Sequence, residues 1–132
     1  MKTIRFNARC IMSENYKIKI TVNKFEVNAI LNSSKMSRDF ISLLPLDLKM
    51  KDLFCREKFA NLPRSICMEG SQIQHYEVGD VAYWAPGGDL TIFYKQDGQR
   101  IKEGLYILGK VDGDIATFDT PGYIPVKVEC VP

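Results

Sequence analysis

Five charged residues, Arg38, Arg56, Glu57, Lys58 and Arg64, stand close together in the chain, and three amphipathic rings, Tyr83, Trp84 and Tyr94, follow on a later stretch. Charges of both signs beside aromatic faces can hold an anionic or planar polar ligand through charge-assisted hydrogen bonds, stacking and cation–π contact. These are the candidate ligand-binding residues. A plainer role is open to the charges: Glu57, Lys58 and Arg64 can form ion pairs that tie a long loop to the body of the protein. Neighbours on a strand point to opposite faces, so Tyr83 and Trp84 cannot both be core. Phe93 and one of that pair are expected to fill the interior, leaving the other ring outside as a recognition surface.

No catalytic set accompanies them. His75 is the sole histidine, and no serine sits in Gly-x-Ser-x-Gly, which leaves little room for a hydrolytic triad. Cys10, Cys55, Cys67 and Cys130 lack Cys-x-x-Cys spacing, and with one histidine they do not form a usual zinc pattern. They are expected as buried or half-buried free thiols, with no disulfide, no metal and no cofactor. Asp112-Gly113-Asp114 lacks the later ligands of a calcium loop. Gly87-Gly88-Asp89 leads into a strand instead of a helix amino terminus, so it is a hairpin turn and not a phosphate cradle.

Composition limits the partners. The 132 residues suit one domain spanning 1–132. The net charge of +2 arises from 18 basic and 16 acidic side chains scattered without a like-charged block, which argues against nucleic acid as a partner. No apolar run approaches the roughly 20 residues that span a bilayer, so no membrane partner is expected. Met1 to Arg5 lead into polar alternation instead of an apolar export segment, and a soluble cytoplasmic protein is the expectation.

The elements that must position these residues are mostly strands. Tyr16, Ile18, Ile20 and Val22 alternate with polar residues, Asn23-Lys24 intervenes, and Phe25, Val27, Ala29 and Leu31 alternate again, which reads as a hairpin. Ile4, Phe6, Ala8 and Cys10 predict a strand in front. Leu46, Leu48 and Met50 alternate with Asp47, Lys49 and Lys51 in a strand with one wet face. Further strands are predicted at 81–84, 90–94, 105–111 and 124–130, separated by turn signals at residues 85–89, Asp97-Gly98 and Asp112-Gly113. One helix is predicted over residues 34–44, capped by Ser33 or Ser34 and stopped by Pro45, with Met36, Phe40 and Leu43 buried as a lid. Arg38 falls nearly opposite that apolar stripe and faces water or a rim.

The motifs that carry a resemblance come in order: Ser33-x-x-x-Ser37-Arg38-Asp39-Phe40-x-x-Leu43-Leu44-Pro45-Leu46, Glu57-Lys58, Leu62-Pro63-Arg64, Val78-Gly79-Asp80-Val81-Ala82-Tyr83-Trp84, Pro86-Gly87, Leu90-x-Ile92-Phe93-Tyr94, Gly104-Leu105 and Leu108-Gly109-Lys110-Val111. Over residues 16–111 the chain resembles the bacterial cyclophilin-like domain family. The resemblance implies a mainly β protein, a closed barrel of about eight strands with one short capping helix at an opening. It implies little chemistry. True cyclophilins carry Phe-His-Arg followed by Gln-Gly-Gly-Asp, and neither occurs here, since His75 sits in Gln74-His75-Tyr76.

The expectation is a barrel that binds a small molecule or peptide segment in a rim pocket near the helix and the hairpin of Tyr83 and Tyr94, where Arg38, Glu57 and Lys58 meet. Two alternatives stand beside it: a diverged peptidyl-prolyl isomerase, and a structural module whose apolar edge pairs with a second copy in a homodimer.

Overall fold

The computed structural model describes residues 11–12 and 15–131. Nine strands run in chain order: β1 Ile11–Met12, β2 Asn15–Val22, β3 Phe25–Leu31, β4 Leu46–Leu53, β5 Glu57–Asn61, β6 Asp80–Trp84, β7 Asp89–Phe93, β8 Tyr106–Asp112 and β9 Ile124–Cys130. A helix, α1 Lys35–Ile41, separates β3 from β4, and a single 3-10 turn, Ile115–Phe118, precedes β9. The strand expected at residues 4–10 lies outside the described residues.

The period-two pattern is realised as an antiparallel sheet. At the first hairpin Val22 pairs with Phe25 across Asn23, whose φ of 56° is one that asparagine tolerates better than most side chains. Neighbours follow the order β2-β3-β8-β6-β7-β5-β4-β9, and β9 returns to β2 through Ile18↔Cys130 to Val22↔Val126. The eight strands therefore close into a barrel, and β1 continues along β2 where the β9 pairing ends. Closure satisfies the backbone groups that an open sheet would leave at its edges. A barrel of eight strands is just wide enough for side chains to fill, and here Ile18, Ile20, Leu31, Met50, Val81, Tyr83, Leu90, Ile92 and Val128 do so, all nearly inaccessible.

Ser34 caps α1 by accepting from the Ser37 amide at 3.1 Å. The helix ends at Ile41, three residues before the expected stop. Leu43 and Leu44 instead donate to the carbonyls of Phe40 and Ile41, the tighter three-residue spacing that often closes a helix. That tightening rotates the apolar face: Met36, Phe40 and Ile41 are buried, while Leu43 is only half-buried against the core. A cis Leu44–Pro45 bond then leads into β4.

One strand was not expected. Glu57 and Lys58 belong to β5 and not to a loop, and β5 joins β4 through a turn in which Arg56 donates to the Leu53 carbonyl. The two central residues, Phe54 and Cys55, have φ of 56° and 53°. Such turns usually announce themselves by glycine or asparagine. This one carries neither signal.

The described cysteines depart from the expectation of buried or half-buried free thiols. Cys55 and Cys67 are free and exposed, whereas Cys130 is disulfide-bonded. No helix among the described residues is long and apolar enough to cross a membrane.

Candidate functional site

Strands β5, β6 and β7 have two apolar faces, and the site is built on the outer one. Along β7, Leu90 and Ile92 enter the barrel while Asp89, Thr91 and Phe93 point away from it, as alternation requires. Cross-strand register completes rows on that outer face: Glu57 beside Phe93, Phe59 beside Thr91 beside Ala82, and Asp89 beside Trp84. A second apolar cluster of Tyr76, Ala82, Phe93, Ile101 and Leu105 lies there, with Trp84 and Ile107 packed against it. Tyr76 and Phe93 stack at 4.0 Å between centroids.

The residues from Asp97 to Leu105 pass over this face without regular structure until Leu105. They are held at several points: Ile101 donates to the Gln74 carbonyl at 2.8 Å, Gln74 and Gln72 side chains donate to the Lys102 and Glu103 carbonyls, and Asp97 pairs with Arg56. Between cover and sheet remains a cleft of about 680 Å³, with Phe54, Arg56, Glu57, Phe93, Trp84 and Ile101 among its walls. That volume lies within the range of small-molecule sites. From Asp89 to Phe93 the floor runs the five residues of β7, about 13 Å over four steps of strand spacing.

A buried ionic cluster closes one end. Arg56 donates from Nε to Glu57 Oε1 at 2.7 Å and from Nη1 to Asp97 Oδ2 at 3.1 Å, and its guanidinium lies over the rings of Phe54 at 5.1 Å and Tyr76 at 5.8 Å. Arg56 and Glu57 are only 7% and 6% exposed. Burial pushes the Glu57 carboxyl above the usual range despite the arginine, whereas the Gln99 amide and Arg56 hold Asp97 below it. Phe54 is 70% exposed at the mouth.

Of the residues singled out in the sequence, Glu57 and Trp84 line the cleft, and Arg56 joins them. Trp84 is the outward ring of its pair and Tyr83, 1% exposed, is the inward one. Phe93 is a correction: it belongs to the outer cluster and not to the barrel interior, because β7 carries core residues on both faces. Arg38, Lys58, Arg64, Tyr83 and Tyr94 do not line the cleft. Arg38 donates to the Ser33 carbonyl at 2.8 Å on α1, so the expected meeting of Arg38 with Glu57 and Lys58 is not formed. Arg64 pairs with Asp39 at 2.8 Å and joins α1 to the segment after β5. Lys58 alternates with Glu57 and so enters the barrel, fully buried. Its ammonium meets Asp52 at 3.1 Å and the carbonyls of Thr120 and Gly122, a pinning role. Tyr94 donates to Asp52, and burial together with that carboxylate raises its phenol. The cleft residues missed in the sequence, Phe54, Asp97 and Ile101, lie in turns and irregular chain where no periodicity marks them.

Among the described residues no group of three His, Cys, Asp or Glu side chains is placed to hold a metal ion. The chemistry on offer is apolar contact, ring stacking and charge-assisted hydrogen bonding.

The described residues thus form a closed antiparallel barrel with one covering helix and a cleft on its outer wall. The chain belongs to the cyclophilin-like family, whose sequence profile matches residues 20–129. Its fold is similar to the solution structure of a hypothetical protein from Archaeoglobus fulgidus, with a TM-score of 0.73 at 19% identity, covering 91% of this chain and 98% of that one. No curated protein sequence matches the chain.

Proposed function

We propose that this protein is a binding module that takes a small molecule or a short peptide segment into the outer cleft. The observation that carries this reading is the coexistence, in one cavity, of an apolar floor with buried charged groups at its end. A surface that served only to cover the barrel would gain nothing from desolvating Glu57, whose burial costs free energy unless its oxygens are used. Lys58, Arg64, Tyr83 and Tyr94 serve the scaffold in this reading, and Arg38 lies outside the binding surface.

Trp84, the only tryptophan, is half-buried on the cleft wall and supplies a native reporter. A metabolite and short-peptide screen by thermal shift, followed by Trp84 emission and amide chemical-shift mapping, tests the proposal. Ligands are expected to alter Trp84 emission and to move the amides of Thr91 and Ile101. Ligands that shift α1 amides and leave those of Thr91 and Ile101 unmoved would relocate the site to the helix rim. In a protease-coupled peptide assay the protein is expected to stay at the uncatalysed rate, because Arg56 is held by Glu57 and Asp97; a rate near that of a true cyclophilin would replace the binding reading with an enzymatic one.

A further inference from the structure

The charge balance inside the cleft indicates what kind of ligand it takes. One guanidinium, that of Arg56, serves two carboxylates, Glu57 at 2.7 Å and Asp97 at 3.1 Å, so the cluster keeps an excess negative charge. Glu57 is the more consequential of the two because it is nearly sealed, and a charge in a medium of low dielectric acts far more strongly than one in water. Only its Oε1 is engaged. Oε2 has no partner among the described residues, yet it is not one of the sealed, unsatisfied atoms, and Glu57 lines the cavity; the free oxygen is therefore open to the cleft. Beside it lie apolar surfaces, Phe93, Ile101 and Leu105, and the rings of Phe54 and Trp84, whose faces attract cations. Arg100 and Lys102 also border the cavity, but both are exposed on its cover, where water and salt screen them.

We infer that the cleft selects ligands bearing a cationic head, an ammonium or amidinium group, on an apolar body, with Glu57 Oε2 accepting from the head while the body covers Phe93 and Ile101. An anion placed there would meet an uncompensated carboxylate or have to displace Asp97 from Arg56. A cation completes the pairing that Arg56 leaves short, through a charge-assisted hydrogen bond in a desolvated setting. This ligand charge is opposite to the anionic one that the row of Arg38, Arg56, Lys58 and Arg64 suggests when their pairing is unseen. The inference rests on the cleft being the binding site.

Three probes with one aromatic body separate the two ideas: phenethylamine, phenethyl alcohol and hydrocinnamate, each titrated into the full chain while the amides of Thr91 and Ile101 are followed. The amine is expected to bind about tenfold more tightly than the alcohol, because its head adds a full positive charge to a hydrogen bond that the alcohol can also donate, with hydrocinnamate the weakest. In Glu57→Gln the advantage of the amine over the alcohol is expected to disappear. Equal affinity of amine and alcohol, a tighter hydrocinnamate, or an amine preference that survives Glu57→Gln would overturn the cationic assignment and leave the cleft standing as a site. Should none of the probes move those amides, the cleft itself would be refuted as a binding site, and both proposals with it. If Glu57→Gln does not fold, the ranking of the three probes in the parent protein decides the matter.

Discussion

The inner and outer faces of β6 and β7 are both apolar, but they are finished differently. Inside, Val81, Tyr83, Leu90 and Ile92 meet side chains from the whole ring of strands, and α1 adds Met36 and Phe40, so the space is filled. Outside, Ala82, Thr91 and Phe93 meet Tyr76, which stacks on Phe93, and one crossing segment that contributes two buried anchors, Ile101 and Leu105. A ring of strands can converge on an axis; one irregular segment laid on a curved sheet cannot, and the space it leaves is the cleft. The same strands thus make a scaffold on one face and a site on the other.

Breaking the inner face should cost most. Phe40 is completely buried, and Phe40→Ala is expected to destabilise the protein by roughly 3 to 5 kcal/mol through lost transfer energy and the cavity left behind. Urea unfolding measures it, and a midpoint unchanged from the parent would contradict the account of α1 as part of the core. Lys58→Met comes next. Removing the ammonium takes this donor from the Thr120 and Gly122 carbonyls and leaves Asp52 with only the Tyr94 hydroxyl and the Cys55 amide, at a cost of about 3 kcal/mol. Ligand binding at the cleft should survive, since Lys58 faces the barrel interior; lost binding at unchanged stability would make Lys58 a site residue after all.

On the outer face the cost should be smaller and the functional effect larger. Ile101→Ala is expected to lose about 2 kcal/mol, the low end for such truncations, because the cover can settle into the space. Amide exchange over residues 97–105 should quicken while the barrel strands stay protected. If exchange quickened everywhere alike, the two clusters would be one cooperative unit and the contrast between them would fail.

Most of the barrel was legible because its strands alternate, and alternation follows directly from a sheet with one buried face. The hairpin at Asn23 came from that rule together with its turn signal, and the rule required one of Tyr83 and Trp84 to face outward without saying which. The rule failed where both faces are buried. Phe93 was assigned inward because apolar side chains on both sides of β7 give no preferred face, and β5 was read as a loop because Glu57 and Lys58 look wet in sequence. Each is buried by a partner distant in the chain: Thr120 and Gly122 for Lys58, and Asp97, acting through Arg56, for Glu57. Composition cannot reveal such partners. The turn at Phe54 and Cys55 hid the start of β5 for the same reason, since its positive φ values are carried by residues that seldom adopt them.

The smallest expected effect lies far from both faces, on the tie between α1 and the segment after β5. Arg64 is half exposed and reaches Asp39 with two nitrogens, at 2.8 and 3.1 Å, and the Cys67 amide adds a third contact at 2.7 Å. Arg64, then the Cys67 amide, hold the Asp39 carboxyl below its ordinary value of 3.8 against the opposing effect of burial. A depressed folded-state value means that the folded protein binds the proton less readily than the unfolded chain does. The stabilisation is therefore complete above the unfolded value and is lost as pH falls through the folded one. At about pH 6 Arg64→Ala is expected to cost only about 0.5 to 1 kcal/mol, the worth of an exposed pair. By about pH 3 the difference between parent and variant should shrink, because below the ordinary value of 3.8 the unfolded chain takes up a proton that the folded parent resists. Urea unfolding at the two pH values measures this without adding salt. A difference that stays constant across the range would show that Arg64 acts through packing and not through its charge, and the contact with Asp39 would then be incidental to how α1 is held.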